Sequence, residues 1–389
     1  MVNIIRNGLF LALIFFLCSC QKNNEIVVRK VNGVTFIQNP ETPVQTTLEV
    51  LQFKEVFRLG EHTDKEHEIF HWITDLYVDE YRNLYVAEQG NRRVQKFDST
   101  GQFLKILGRA GQGPGEYVFP ALIFENPYHQ IIILDNRLGK FIYFNQKGNH
   151  IKDDRLRDEI KGDIYSPYFI DKMEIVFLSP EGRDIENHIA VNRLYSFDLD
   201  TRTLKELFGF NIPLEVITGN QGVVISKSKW EYNITLSPQN KIFIAKSPDY
   251  KIDVYNLYGS KIKEIIRTYK KIPLSKKEKE NLKSGPSIDG KTLSPPDYHS
   301  DIQALCFVVP GECWVITSCK EKNKRIIDVL DAQGKFVGQL SLNIPIFLQR
   351  SYRNLTIQFF YDASSSTVFL YQVEEHEGIE HVACYKASY

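Results

Sequence analysis

One unit recurs six times along this chain, and that recurrence restricts the fold more than any other feature. From Ile73 to Leu107 (ITDLYVDEYRNLYVAEQGNRRVQKFDSTGQFLKIL) a strand pattern leads through a polar turn to a second, apolar strand (NLYVAE). A charged turn (QGNRR), a third strand (VQKFD) and a glycine-bearing turn then lead into a fourth strand. Ala121 to Asp153 aligns with it piece by piece, with QIIILD, NRLGK and FIYFN in the corresponding places. Tyr232 to Ile266 and Ile302 to Leu342 repeat the order, and weaker copies lie at Pro167 to Phe210 and Asn354 to Ser388. Periods of about 40 to 50 residues with four strands each predict an all-β, six-bladed β-propeller of four-stranded antiparallel blades.

The pattern has a physical reason. A four-stranded blade cannot bury both faces alone and must pack against its neighbours, so its central strands become nearly continuous apolar runs such as QIIILD and KIFIAK. The turns DSTG, NQKG, NLYG and DAQG place Gly101, Gly148, Gly259 and Gly334 at matching positions, where positive φ is cheap for glycine. A pair of β-sandwiches would supply similar strands but no reason for one order of strands and turns to recur. Propellers commonly close by letting an N-terminal strand complete the last blade. Leu48 to Gly60 (LEVLQFKEVFRLG) is the expected outer strand of the blade ending at Tyr389, so the propeller is assigned residues 48–389. Residues 269–301 interrupt the repeat as a helical or loose insertion, with a helix start at Ser275 and Glu278. It reads as a solvated spacer or as a lid or partner-contact element.

The N-terminus is a separate object. The apolar run GLFLALIFFLCSC is about a dozen residues long, too short for the roughly 20 residues of a membrane span, and residues 1–19 read as a signal peptide. Its end, Leu17-Cys18-Ser19-Cys20, resembles the lipobox of bacterial lipoproteins. That resemblance implies cleavage before Cys20 and acylation of its thiol as the only membrane anchor, with residues 20–47 as anchor and spacer. CQKNNE after the cut resembles the surface-export signal of some Bacteroidetes lipoproteins, with Asn23 and Asn24 in place of acids. An outer-membrane lipoprotein on either the periplasmic or the surface face is therefore expected.

Composition excludes one class of partner. With 48 basic and 48 acidic residues there is no basic surplus to attract nucleic acid. The 20 Tyr and 25 Phe against two Met favour strands. Cys306, Cys313, Cys319 and Cys384 lack the spacing of a disulfide framework or a zinc site and read mainly as small buried hydrophobes.

The stretch NLYVAEQGNRRVQKFDSTGQFL resembles the NHL repeat through Asn83, Leu84, Tyr85, Val86, Asn91, Arg93, Val94, Phe97, Gly101 and Phe103, with Glu88 where Asp is more usual. GRAGQGPGEYVFP, Gly108 to Pro120, is similar to a loop of the six-bladed β-propeller lipoproteins abundant in Bacteroidetes. The resemblance implies fold and location but no chemistry.

The sequence holds no G-x-S-x-G elbow, no H-E-x-x-H and no Walker-type phosphate loop. Three histidines cluster in EHTDKEHEIFHW, His62, His67 and His71, beside Asp64, Glu66 and Glu68, a conceivable metal set or a solvated crossover. Propeller lactonases hold a calcium in the channel, and Glu88, Asn91, Asp135 and Asn136 are the nearest counterparts here. Otherwise no cofactor is expected. Ligand groups are sought on the loop face over the central channel, where aromatic rings beside arginines and carboxylates suit a sugar or a peptide. The candidates are Trp72, Glu88, Arg92, Arg109, Glu116, Tyr117, Asp135, Arg137 and Trp230. The expected function is that of a monomeric envelope binding or interaction module for a peptide, protein or glycan. The alternatives are a lactonase-like, metal-dependent hydrolase or lyase, and a purely structural scaffold.

Overall fold

The computed structural model describes residues 25–389 except 46–47, 62–63, 157–158, 161, 220–223, 229–231, 247, 284–286, 290, 322–323, 347–349, 352–353 and 356. Six antiparallel sheets follow one another along the chain as the blades of a propeller. Their inner strands are Ile73–Val78, Pro120–Glu125, Tyr165–Phe169, Asn233–Leu236, Ile302–Cys306 and Ile357–Asp362. From each inner strand the next two or three strands step outward in chain order. The six repeats correspond to these six blades.

The hydrophobic core lies between blades. Tyr85, Ala87, Val94 and Leu107 of blade 1 pack with Ile131, Ile133, Ile142 and Phe144 of blade 2. Equivalent clusters join blades 2 and 3, 3 and 4, 4 and 5, 5 and 6, and 6 back to 1. Each blade therefore buries both faces only with the whole ring in place.

One turn device repeats between third and fourth strands. Asp98, Asn145, Asn256 and Asp331 each accept a hydrogen bond on Oδ1 from the backbone N–H four residues on, at 2.8 to 2.9 Å. The glycine three residues after each has positive φ. These glycines also abut the outer strand of the preceding blade. An added Cβ would stand 2.7 Å from Phe57 at Gly101, 2.6 Å from Lys105 at Gly148, 2.2 Å from the Leu207 carbonyl oxygen at Gly259 and 2.6 Å from Ile265 at Gly334. Two turns after inner strands use the same cap without glycine. Asp79 receives the N–H groups of Tyr81 and Asn83, and Asn126 those of Tyr128 and Gln130, while Arg82 and His129 take the positive φ.

Lys54–Leu59 pairs antiparallel with Ile379–Ser388 and so completes blade 6 with an N-terminal strand, within the segment the sequence nominated. The chain reaches that place by running along the outside of two other blades. Val27–Val31 and Val34–Asn39 form a hairpin whose second arm lies parallel on Lys261–Arg267 of blade 4. Leu48–Leu51 then lies parallel on Phe336–Leu342 of blade 5. The stretch read as a spacer thus contains two strands. Asn32-Gly33, at φ 49° and 82°, is the hairpin turn between them, of the Asn-Gly type that a right-twisted hairpin favours.

Blade 3 is overgrown. Glu174–Asp184, Ile189–Asp198 and Thr203–Thr218 rise beyond the start of its inner strand, and Val224–Ser228 adds a further strand. The insertion contains the helix Lys276–Lys283, capped reciprocally by Ser275 and Glu278, and Ser294 N–H donates to Glu215 of the blade 3 arm at 2.9 Å.

Candidate functional site

The candidates from sequence gather where the inner strands begin, since Ile73 pairs with Glu88 and Pro120 with Asp135. Most of them hold the backbone. Glu88 is fully buried and receives Arg93 Nε at 2.6 Å, Gln95 Nε2 at 2.8 Å, Asn91 Nδ2 at 2.7 Å and His71 N–H at 3.1 Å. Asp135, also fully buried, accepts the N–H groups of Val118, Phe119 and Leu138. The buried Tyr117 hydroxyl donates to Leu107 O at 2.6 Å and accepts from Val94 N–H at 2.9 Å. Glu116 closes its own loop, with Gly113 N–H at 2.8 Å and Arg109 Nε at 2.6 Å holding its carboxyl below the usual range. Trp72 is exposed, with its edge toward Phe119, and Arg92 and Arg137 are exposed in turns. Trp230 and His62 lie outside the described residues, as does Cys20.

The calcium counterparts are similarly engaged. Asn91 is bonded to Glu88, and Asn136 exchanges two hydrogen bonds with the Ile164 backbone. His67 stacks on Phe103 at 4.7 Å, and the buried Glu68 accepts from Lys65. Among the described residues, no three His, Cys, Asp or Glu side chains converge in a way that could hold a metal ion. The four body cysteines are free thiols.

A large concavity lies elsewhere. A cavity of about 1260 Å³ runs along the axis, and all six inner strands contribute to its wall. None of the described sequence candidates lines it. Its rings come from every blade: Tyr77 from the first, Phe124 from the second, Tyr165, Tyr168 and Phe169 from the third. Tyr232 precedes the fourth inner strand, Phe307 follows the fifth, and Phe359 and Phe360 belong to the sixth. From blades 1 and 2 the wall takes the later part of the inner strand and the turn beyond it, with Asp75, Glu80, Glu125 and His129 as its charged or titratable groups. Glu125, His129 and Glu80 form a chain with Tyr77. Tyr77 Oη donates to Glu125 Oε2 at 2.5 Å, and His129 Nδ1 lies 2.7 Å from Glu125 Oε1 and 3.3 Å from Glu80 Oε1.

Electrostatics fix the protonation of this wall. Burial, then the Glu125 carboxylate, pushes the Tyr77 phenol far above its ordinary value, so it stays a donor. Glu125, then Glu80, raises the His129 imidazole. Burial lifts the Cys306 thiol in the cavity wall to about 12, which keeps it neutral and a poor nucleophile. Arg183 lines the cavity from the blade 3 arm, beyond the start of that blade's inner strand. Sequence reasoning missed these residues because inner-strand aromatics look like any core residue; only Glu125-Asn126-Pro127, a polar break directly after an apolar run, marked the rim.

No curated protein matches the chain. Among solved structures, a Bacteroides fragilis protein described as exported is 12% identical, with 88% of this chain and 100% of that one covered at a TM-score of 0.49. A member of the DUF4221 family from Bacteroides vulgatus is 11% identical over 95% of this chain and 100% of its own, at a TM-score of 0.49. Virginiamycin B lyase of Staphylococcus aureus is 11% identical over 87% and 99%, at 0.45. None of these likenesses is strong enough to transfer an activity. A family model matches residues 62–257, half of the chain, from the entry to blade 1 through the third strand of blade 4. With six blades closed by an N-terminal strand and that match, the chain belongs to the 6-bladed beta-propeller family DUF5128.

Proposed function

We propose that the protein is an envelope lipoprotein acting as a binding or interaction module, which takes a peptide, a protein segment or a glycan into the channel between its blades. The observation that carries the reading is the aromatic-walled cavity to which six inner strands contribute. Aromatic rings offer large contact area at low entropic cost, and a small number of polar groups at one rim orients a ligand. The binding region moves from the loops around Trp72 and Glu88 to the cavity wall, because those loops spend their polar groups on one another. The Leu17-Cys18-Ser19-Cys20 sequence supports acylation at Cys20, on the periplasmic or surface face of the outer membrane. A lactonase-like, metal-dependent hydrolase or lyase needs at least three ligands converging on the axis, and among the described residues no such group converges.

The test is thermal unfolding of the purified protein against panels of short peptides and oligosaccharides, since a ligand that binds only the folded state raises Tm by mass action. The expected result is a saturable rise that Phe124→Ala or Phe359→Ala weakens and Arg92→Ala leaves intact. A rise insensitive to both cavity variants, or a rise with calcium or zinc that EDTA reverses, overturns it. Membrane fractionation of Cys20→Ala, with release from the membrane expected, tests the anchor.

A further inference from the structure

The binding reading leaves the class of ligand open, and the charge on the cavity wall narrows it. Asp75, Glu80 and Glu125 give the wall between blades 1 and 2 three carboxylates. No lysine is among the described residues lining the cavity, and the lining arginine, Arg183, sits on the blade 3 arm at the opposite end of the inner strands. Cations on the neighbouring strands and turns of blades 1 and 3 are engaged. Lys96 Nζ lies 3.9 Å from Asp79 and over the Tyr85 ring, Lys172 lies over the Tyr128 ring, and Arg82 over that of Phe369. The one basic group within the cluster is His129, between Glu80 and Glu125.

Glu125 is only 13% exposed, so its charge is felt through a partly desolvated medium and attracts a cation more strongly than a surface carboxylate does. The neighbouring rings of Tyr77 and Phe124 add favourable faces for the same cation. The rest of the wall discriminates between chemistries. Leu122, Ile123, Leu236, Leu305 and Ile357 are aliphatic, and the hydroxyls of a sugar facing them would lose water without gaining a partner. An apolar side chain facing them gains burial instead. A volume of about 1260 Å³ exceeds the few hundred to about 1000 Å³ of a typical small-molecule site, which suits several residues of peptide.

We infer that the channel takes a peptide segment in which a basic side chain, seated at Glu125 and Glu80, is flanked by apolar or aromatic residues on the cavity wall. The inference rests on the binding reading above.

Three synthetic peptides capped at both ends, Phe-Lys-Leu-Phe and its norleucine and glutamate analogues, test it by calorimetric titration of the full chain. The expected order is lysine over norleucine by about tenfold or more, with glutamate weakest. Glu80→Gln combined with Glu125→Gln should erase the preference for lysine while retaining norleucine binding, and Phe124→Ala should weaken all three together. Equal affinities that Phe124→Ala lowers together would overturn the basic specificity and leave the cavity reading standing. Binding of none of the three to the unaltered protein would overturn the peptide class itself. Because the three-peptide comparison uses the unaltered chain, it decides the question even if a variant fails to fold.

Discussion

The Tyr77 hydroxyl of blade 1 donates to Glu125 Oε2 of blade 2 at 2.5 Å, joining two inner strands that belong to different sheets. The same boundary is crossed by Ile123 N–H to Asp75 Oδ2 at 2.8 Å and by Thr74 Oγ1 to Pro120 O at 2.7 Å. The cavity rim is therefore held by side chains where backbone ladders cannot reach, and the polar groups that would orient a ligand are preorganised by one another.

Tyr77→Phe removes that donor while Glu125 keeps His129. The expected loss is about 1.5 to 3 kcal/mol, the usual worth of a hydrogen bond to a charged group. Urea unfolding of Tyr77→Phe, Glu125→Gln and the double variant checks it: the double should lose less than the sum of the singles, because the two groups share one interaction.

Turn glycines should separate into two classes on replacement by alanine, as Gly311, between the first and second strands of blade 5, and Gly259, between the third and fourth of blade 4, illustrate. At Gly311, where φ is 85° and nothing lies within 4 Å of an added Cβ, only the left-handed backbone resists, at about 1 to 2 kcal/mol. At Gly259 the new Cβ would stand 2.2 Å from the Leu207 carbonyl oxygen, so Gly259→Ala should cost roughly 1 to 3 kcal/mol more. Equal unfolding midpoints for the two variants would contradict a blade-docking role.

Glu88 is predicted to matter for stability and Arg92 is not. Glu88→Ala strands the buried Arg93 guanidinium and should cost about 3 to 5 kcal/mol. Arg92→Ala, at an exposed turn, should stay within about 0.5 kcal/mol of the parent. Melting curves of the two variants measured side by side decide it.

Acid should loosen blade 6 through Glu374. Burial pushes its carboxyl up, but hydrogen bonds from Arg58 at 2.5 Å, Tyr385 and Gln372 outweigh it and hold the folded value below the ordinary one. A depressed folded value means stability fully present above the unfolded value of about 4.3 and lost as pH falls from there through the folded value. Glu374→Gln should therefore be less stable at neutral pH and show a shallower acid limb in its stability profile between about pH 5 and 2.

Much of the fold was legible because a propeller writes its period into the chain. The Asp-x-x-Gly and Asn-x-x-Gly turns marked the third-to-fourth strand connections, and LEVLQFKEVFRLG marked the closing strand. Two things were not legible. Val27–Val31 and Val34–Asn39 read as spacer, though Asn32-Gly33 between alternating residues was a hairpin signal, because their partner strand lies more than 200 residues away in blade 4. The polar residues nominated for a ligand were the conspicuous ones in blades 1 and 2. Glu88 and Asp135 are conspicuous for a different reason: a buried turn must satisfy its amides, and a carboxylate does so.

The sequence by itself determined the blades, their number and their order, since strand period, turn glycines and apolar runs are local properties that each repeat carries. The cavity was decided only by tertiary structure. Its wall takes a few residues from each inner strand, from Asp75 to Phe360, and no one segment reveals that Tyr77 will meet Glu125 or that rings from six blades will face one axis. Radial closure brings them together, because each blade can bury its two faces only against the next, and the space left at the centre is where the inner strands stop packing on one another.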